Sequence, residues 1–307
     1  MSRLRDYMVA ILAITLWAFT GILIRTLVTV YAMPPLLLAW WRDLLGALAL
    51  GGWFWWRRAS TFRLPRSQWG FLAFYGLVLA LFHVVWVYSV QANGAAVATV
   101  LLYSSAAFTA VLAWWLFGES LTLRKVLAVI ASLGGCVLVS GAYATDHWAV
   151  NAAGIWLGLF SGLLFAAYSL TGRAAGQRGL DPWQSLFFTF VGAAVFQGAF
   201  NLVAWQMSEA SAFRSLVPQL PLAGWGWLLA LSLGPTLVGF GFYNHALSRL
   251  PASLVNLLAT LEPVMTAVLA YVFLGERLTP VQIIGAVIIL VAVTLAQDLA
   301  EPVPEAV

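Results

Sequence analysis

Charge is what this sequence has least of. Asp, Glu, Lys and Arg together make up 8% of its 307 residues, about a third of the share usual in soluble domains. Apolar residues make up 63%, and the mean hydropathy is +0.93. A soluble fold keeps over half of its exposed area beside water and cannot hide that much apolar surface. An ordinary cytosolic enzyme and a disordered chain are therefore excluded. Cysteine is almost absent. The single Cys136 rules out disulfides within the chain and thiolate metal clusters, and it reads as a small buried hydrophobe. Histidine is scarce too, with three scattered copies. No H-E-x-x-H, G-x-S-x-G, C-x-x-C or G-x-x-x-x-G-K-[ST] occurs. Metal-assisted or nucleophilic hydrolysis and nucleotide-driven work have no residues to carry them. No cofactor and no bound metal are expected.

What is present is a series of continuous apolar runs about 20 residues long, the length that crosses a bilayer as a helix. Alternating segments of a transmembrane barrel are missing. Ten spans are expected, at about 8–30, 35–56, 69–90, 94–117, 125–143, 153–172, 183–206, 223–244, 252–274 and 281–299. The first is too long for a cleaved signal and lacks a small-residue cleavage site. The tail after Asp298 is acidic and is expected to be disordered.

Placing the N-terminus in the cytoplasm puts Arg3, Arg5, Arg57, Arg58, Arg63, Arg66, Arg124, Lys125, Arg173, Arg178 and Arg249 on the inner side. Only Arg214 and Arg277 fall outside. Positive charge gathers on the cytoplasmic side of membrane proteins, so both termini are expected there. The net charge of +4 thus reports topology, not nucleic-acid binding. Tryptophans near the span ends fit interfacial belts, among them Trp55, Trp56, Trp69, Trp115 and Trp205.

The chain also resembles itself. TAVLA at 109–113 is followed by GESLT (Gly118 to Thr122); TAVLA at 266–270 is followed by GERLT (Gly275 to Thr279). The two copies match without a gap. The repeat unit holds five spans, an odd number, so the second copy enters the membrane upside down. The expected division is 1–147 and 148–299, with a tail at 300–307. Inverted repeats are a transporter architecture, because each half can open toward a different side.

The two GE-x-LT repeats, Leu261-Glu262-Pro263-Val264 and Leu16-Trp17 resemble the drug/metabolite transporter superfamily, EamA type. Leu23-Ile24-Arg25, Ala166-Ala167-Tyr168 and the many interior aromatics are similar to the YddG-type aromatic amino-acid exporters. The resemblance implies an all-α fold of ten transmembrane helices, as two inverted repeats around a central cavity. It also implies export of small organic metabolites. Glu262-Pro263 in span nine faces Ser105-Ala106 at the matched place in span four, so a cause for a helix break is visible in span nine alone.

Several residues could carry transport. Glu262 sits near mid-span, where a carboxylate needs a wet cavity, a partner or a proton. It suits a proton-coupling or substrate-ammonium site, or else a hydrogen-bond acceptor that organises the Pro263 break. No second carboxylate at that depth is expected. His83 and Trp86 share a helix face, and a histidine can bind a carboxylate, relay a proton or simply pack. Arg42 and Asp43 point about 100° apart on a helix and need separate partners. Arg25 can snorkel to the surface. Trp17, Trp41, Trp86, Tyr103, Phe165, Tyr168, Phe240 and Tyr243 lie far enough from span ends to line a cavity, where rings stack on rings and cations sit over ring faces. Trp17→Ala and Tyr103→Ala are expected to weaken transport with expression near normal. Gly154, Gly158 and Gly162 form a face for close helix approach, and Pro235, Gly239 and Gly241 allow span eight to bend.

These readings point to a multi-pass protein of the cell membrane that exports small molecules by alternating access. Its expected cargo is amino acids with an aromatic or bulky apolar side chain, its other partner is lipid, and a monomer is expected. Export of drugs or other small metabolites, and a membrane enzyme, are the alternatives.

Overall fold

The computed structural model of the protein describes residues 2–57, 66–143, 152–207, 216–274 and 279–297. All regular structure among the described residues is helical. In chain order the helices are α1 (Ser2–Trp17), α2 (Thr20–Arg25), α3 (Pro35–Trp56), α4 (Trp69–Leu102), α5 (Ser105–Phe117), α6 (Leu123–Ser140) and α7 (Ala152–Gln177). They continue as α8 (Pro182–Met207), α9 (Leu222–Leu231), α10 (Phe240–Arg249), α11 (Ala252–Ala259), α12 (Glu262–Leu274) and α13 (Pro280–Gln297). Proline opens α3, α8 and α13, where its missing N–H costs nothing and its fixed φ suits the first turn. Arg58, Arg63, Asp146, His147, Trp148, Arg214, Gly275, Glu276, Arg277, Leu278 and the tail after 297 lie outside the described residues.

Eight stretches are long and apolar enough to cross a membrane. The helix α3 is 22 residues long but carries Arg42 and Asp43 at its middle, which lowers its hydropathy. The last apolar helix runs from Pro280 to Leu295 and is shorter. Outward-facing aromatics such as Trp55, Trp56, Trp69 and Trp115 are exposed, and so is Arg25.

Backbone in α4 stays helical from Trp69 to Leu102, across the expected boundary between spans three and four. The chain nevertheless doubles back within it. On α7, Gly172 lies against Tyr75 and Gly154 against Ala92 and Asn93, whereas Gly158 lies against Leu101 and Gly162 against Ser104. The neighbour number climbs along one direction of α7 and then along the other, which places the reversal between Asn93 and Leu101. The glycine face of α7 thus seats both arms of the turn.

Helix breaks fall at Thr260-Leu261, beside Glu262-Pro263 as expected, and also at Tyr103-Ser104. Span four breaks without proline, contrary to what its sequence suggests. At each break a hydroxyl takes a carbonyl three residues back: Ser104 Oγ donates to the Leu101 carbonyl (2.6 Å) and Thr260 Oγ1 to that of Leu257 (2.7 Å). Such local bonds compete with the helical ladder. In span eight the α-helix gives way to a π-helical stretch at Ser232–Gly239 that contains Pro235.

The GESLT segment has a mechanical explanation. Gly118 ends α5 in the left-handed region (φ 65°), a conformation that favours glycine. Glu119 then accepts from the Ala252 N–H (2.8 Å) and the Ser253 N–H (3.3 Å), and from the Ser253 hydroxyl. It thereby caps α11 in the other half of the chain, where a carboxylate suits the positive helix end. Lys125 Nζ stands 3.7 Å from Glu119, and Thr122 Oγ1 caps α6 by accepting from the Lys125 N–H (3.3 Å). In the second copy Thr279 and Gln282 cap α13 reciprocally.

Close backbone approach holds α4 to α8. A Cβ on Gly76 would stand 2.8 Å from Gly192 Cα, whereas one on Gly70 meets nothing within 4 Å. Gly76→Ala should therefore cost about 1–3 kcal/mol, the usual penalty of overpacking, and Gly70→Ala almost nothing. Thermal unfolding of the two variants in detergent checks this; equal midpoints would contradict the close approach.

Candidate functional site

The two breaks meet. Glu262, the first residue of α12, accepts a 2.6 Å hydrogen bond from the Tyr103 hydroxyl, and Ser105, the first residue of α5, donates to Asn256 Oδ1 in α11 (2.9 Å). Beside this crossing lies a small cavity. It is lined by Trp17, Thr20, Arg42, Phe82, His83, Trp86, Leu102, Tyr103, Phe165, Phe240 and Glu262.

Rings form most of the wall. Trp17, at the C-terminal end of α1, is 4.9 Å from Phe240 and 5.8 Å from Phe165 between ring centres. Phe82 stacks on Phe165 at 5.1 Å, and His83 meets Phe240 edge-on at 5.3 Å. The indole N–H of Trp17 donates to the Pro235 carbonyl (3.1 Å). Pro235 has no N–H to give to the helical ladder and lies within the π-helical stretch Ser232–Gly239.

Charge enters from α3. Arg42 and Asp43 are buried, at 2% and 0% exposure. Their separate partners, expected from the helical geometry, are these: Arg42 Nε donates to Thr236 Oγ1 (3.2 Å), while Asp43 Oδ2 pairs with His83 Nδ1 (2.7 Å) and accepts from Gln197 Nε2 (3.0 Å). The two side chains remain loosely paired at 3.9 Å. His83 Nε2 and Thr20 Oγ1 are buried without a hydrogen-bond partner among the described residues. Asp43 corrects the expectation that Glu262 is the sole deep carboxylate: it lies in the middle of α3, reached by groups on α4 and α8.

Of the residues proposed from sequence, Trp17, His83, Trp86, Tyr103, Phe165, Phe240 and Glu262 come together at the cavity. Tyr168 and Tyr243 lie one layer behind it. The Tyr243 ring packs 4.7 Å from that of Trp17 and its hydroxyl pairs with Ser169 (2.8 Å); Tyr168 donates to Asn244 Oδ1 (2.9 Å). Trp41 is elsewhere. It packs on Trp225 at 5.2 Å in a separate cluster with Met33 and Leu37 and donates to the Leu216 carbonyl (2.8 Å). His245 is half-buried near Asp6 (3.8 Å). Thr20, Phe82 and Leu102 also line the cavity, beyond the residues expected from sequence. A signal existed for Phe82, which stands four residues before Trp86 on one helix face. Nothing local marks Gln197 or Thr236 as partners, because they lie 154 and 194 residues from α3's charged pair.

Several membrane-crossing helices around a small cavity that holds both rings and charges define a membrane transport protein. Residues 4–141 and 152–296 match the EamA-like transporter family, and the chain belongs to it. Among its relatives, the threonine/homoserine exporter RhtA of Escherichia coli strain K12 is 31% identical over 234 residues, covering 76% of this chain and 71% of its own. A probable amino-acid metabolite efflux pump of Salmonella typhimurium strain LT2 is 27% identical over 294 residues, covering 94% and 93%. An uncharacterized transporter of Archaeoglobus fulgidus is 27% identical over 225 residues, covering 72% and 75%. A crystal structure of another protein shares the fold with a TM-score of 0.78 at 19% identity, over 96% of this chain and 97% of its own.

Proposed function

We propose that the chain exports amino acids with aromatic or bulky apolar side chains from the cell, by alternating access around this cavity. One observation carries the reading: a ring-walled cavity holds a guanidinium and a carboxylate at the crossing of two broken helices. The amino-acid exporters among its relatives support the substrate class. Helix α3, whose charged pair is neutralised by buried partners, and α13 complete ten spans with the eight apolar stretches. The two inverted five-helix repeats are 1–147 and 148–299, followed by the tail at 300–307. The protein sits in the cell membrane as a monomer among lipids, with both termini in the cytoplasm.

Cells that overproduce the chain and are fed phenylalanyl dipeptides should release more phenylalanine than control cells. Unchanged phenylalanine release with faster efflux of an organic dye cation would favour a drug exporter instead. Orientation has its own test, motivated by the arginine asymmetry. Single cysteines at Arg63 and Asp146, in a Cys136→Ala background, should label from opposite faces of intact cells. Labelling of both from outside would overturn the ten-span arrangement.

A further inference from the structure

We propose that the cavity grips an α-amino acid by both charged ends: the Arg42 guanidinium takes the carboxylate and the Glu262 carboxylate takes the ammonium. The proposal rests on the amino-acid reading above and narrows it to zwitterions with both ends free. Arg42 spends its Nε on Thr236 (3.2 Å). Neither Nη amine has a hydrogen-bond partner among the described residues, yet the side chain is 3% exposed and lines the cavity. The neighbouring Asp43 does not meet that need. Its Oδ1, itself without a hydrogen bond among the described residues, stands 3.9 Å from Nε, an ion pair beyond hydrogen-bond reach, and its Oδ2 serves His83 and Gln197. A planar guanidinium edge left open in a buried wall matches a carboxylate with two parallel N–H···O bonds.

Glu262 shows the complementary vacancy. Its Oε2 accepts from Tyr103 (2.6 Å), and Oε1 has no hydrogen bond among the described residues. An ionised carboxylate has about four acceptor sites, and an ammonium brings three donors. A zwitterion therefore pairs both buried groups at once and adds no net charge. A molecule lacking either end leaves one buried charge facing an uncharged group, which is costly. The side chain of the amino acid then falls against Trp17, Phe82 and Phe165.

The test is competition against labelled phenylalanine in solute counterflow with purified protein in liposomes. The competitors are phenylalanine, its amide (no carboxylate), N-acetylphenylalanine (no ammonium) and phenethylamine. Each modified competitor should be weaker than phenylalanine by about 10- to 100-fold, the range for losing a charged hydrogen-bonding partner. Arg42→Met should erase the penalty on the amide alone, and Glu262→Gln the penalty on N-acetylphenylalanine alone. The unmodified protein decides the matter even if a variant fails to fold. If the amide or the N-acetyl compound competes as well as phenylalanine, two-ended recognition is wrong while amino-acid transport stands. If no amino acid shows counterflow at all, the underlying reading fails and this inference with it.

Discussion

Asp43→Ala should abolish transport and destabilise the protein by about 3–5 kcal/mol, the range for breaking a buried charged network. The carboxylate is fully buried and does three things at once. It holds His83 at 2.7 Å, accepts from Gln197 at 3.0 Å and balances the charge of Arg42 at 3.9 Å. Alanine leaves the imidazole without its acceptor, the Gln197 amide with only the Ala80 carbonyl at 3.4 Å, and the guanidinium without its nearest counter-charge. Asp43→Asn should fall between alanine and the parent, because its one carbonyl oxygen can serve only part of the network. Thermal unfolding in detergent, read beside transport in liposomes, measures both effects. Parent-like stability in the alanine variant would mean that the network does not hold α3 to α4 and α8.

Trp17→Ala should cost about 3–5 kcal/mol through the cavity it leaves and reduce transport of aromatic amino acids to near background. Its ring touches Phe165, Phe240 and Tyr243, and its N–H is tied to the Pro235 carbonyl in the π-helical stretch. It is thus part of the packing as well as the cavity wall. Expression should fall, contrary to the sequence-based expectation of near-normal expression. Trp17→Phe, which keeps most of the ring and loses the N–H, should recover expression but transport less well than the parent. Tyr103→Ala differs, because its main described partner is the Glu262 carboxylate; transport should fall further than expression. An alanine variant at 17 with full yield and full rate would remove Trp17 from the site.

Much of the fold was legible because apolar length and charge asymmetry are strong, local signals. The GE-x-LT repeats were legible as repeats, yet their work at Glu119 was not: its partners, Ala252 and Ser253, lie across the chain. The break in span four was invisible to a search for proline, although Ser104 carries the competing hydroxyl. At the site, ring-bearing residues within spans were easy to find, but their depth was not. Trp41, Tyr168 and Tyr243 have the same composition signal as Phe165 and Phe240. Only packing separates wall, second layer and remote cluster. Arg42 and Asp43 announced their need for partners through helical spacing; Thr236, His83 and Gln197 answered from three other elements.

The decisive measurement of amino-acid export is solute counterflow of labelled phenylalanine in liposomes, with unlabelled phenylalanine inside and equal pH on both sides. The predicted result is a transient accumulation of label that protein-free liposomes lack and that Trp17→Ala, reconstituted to equal protein content, reduces strongly. No accumulation with any aromatic or bulky apolar amino acid, together with accumulation of a labelled organic cation under the same conditions, would contradict it.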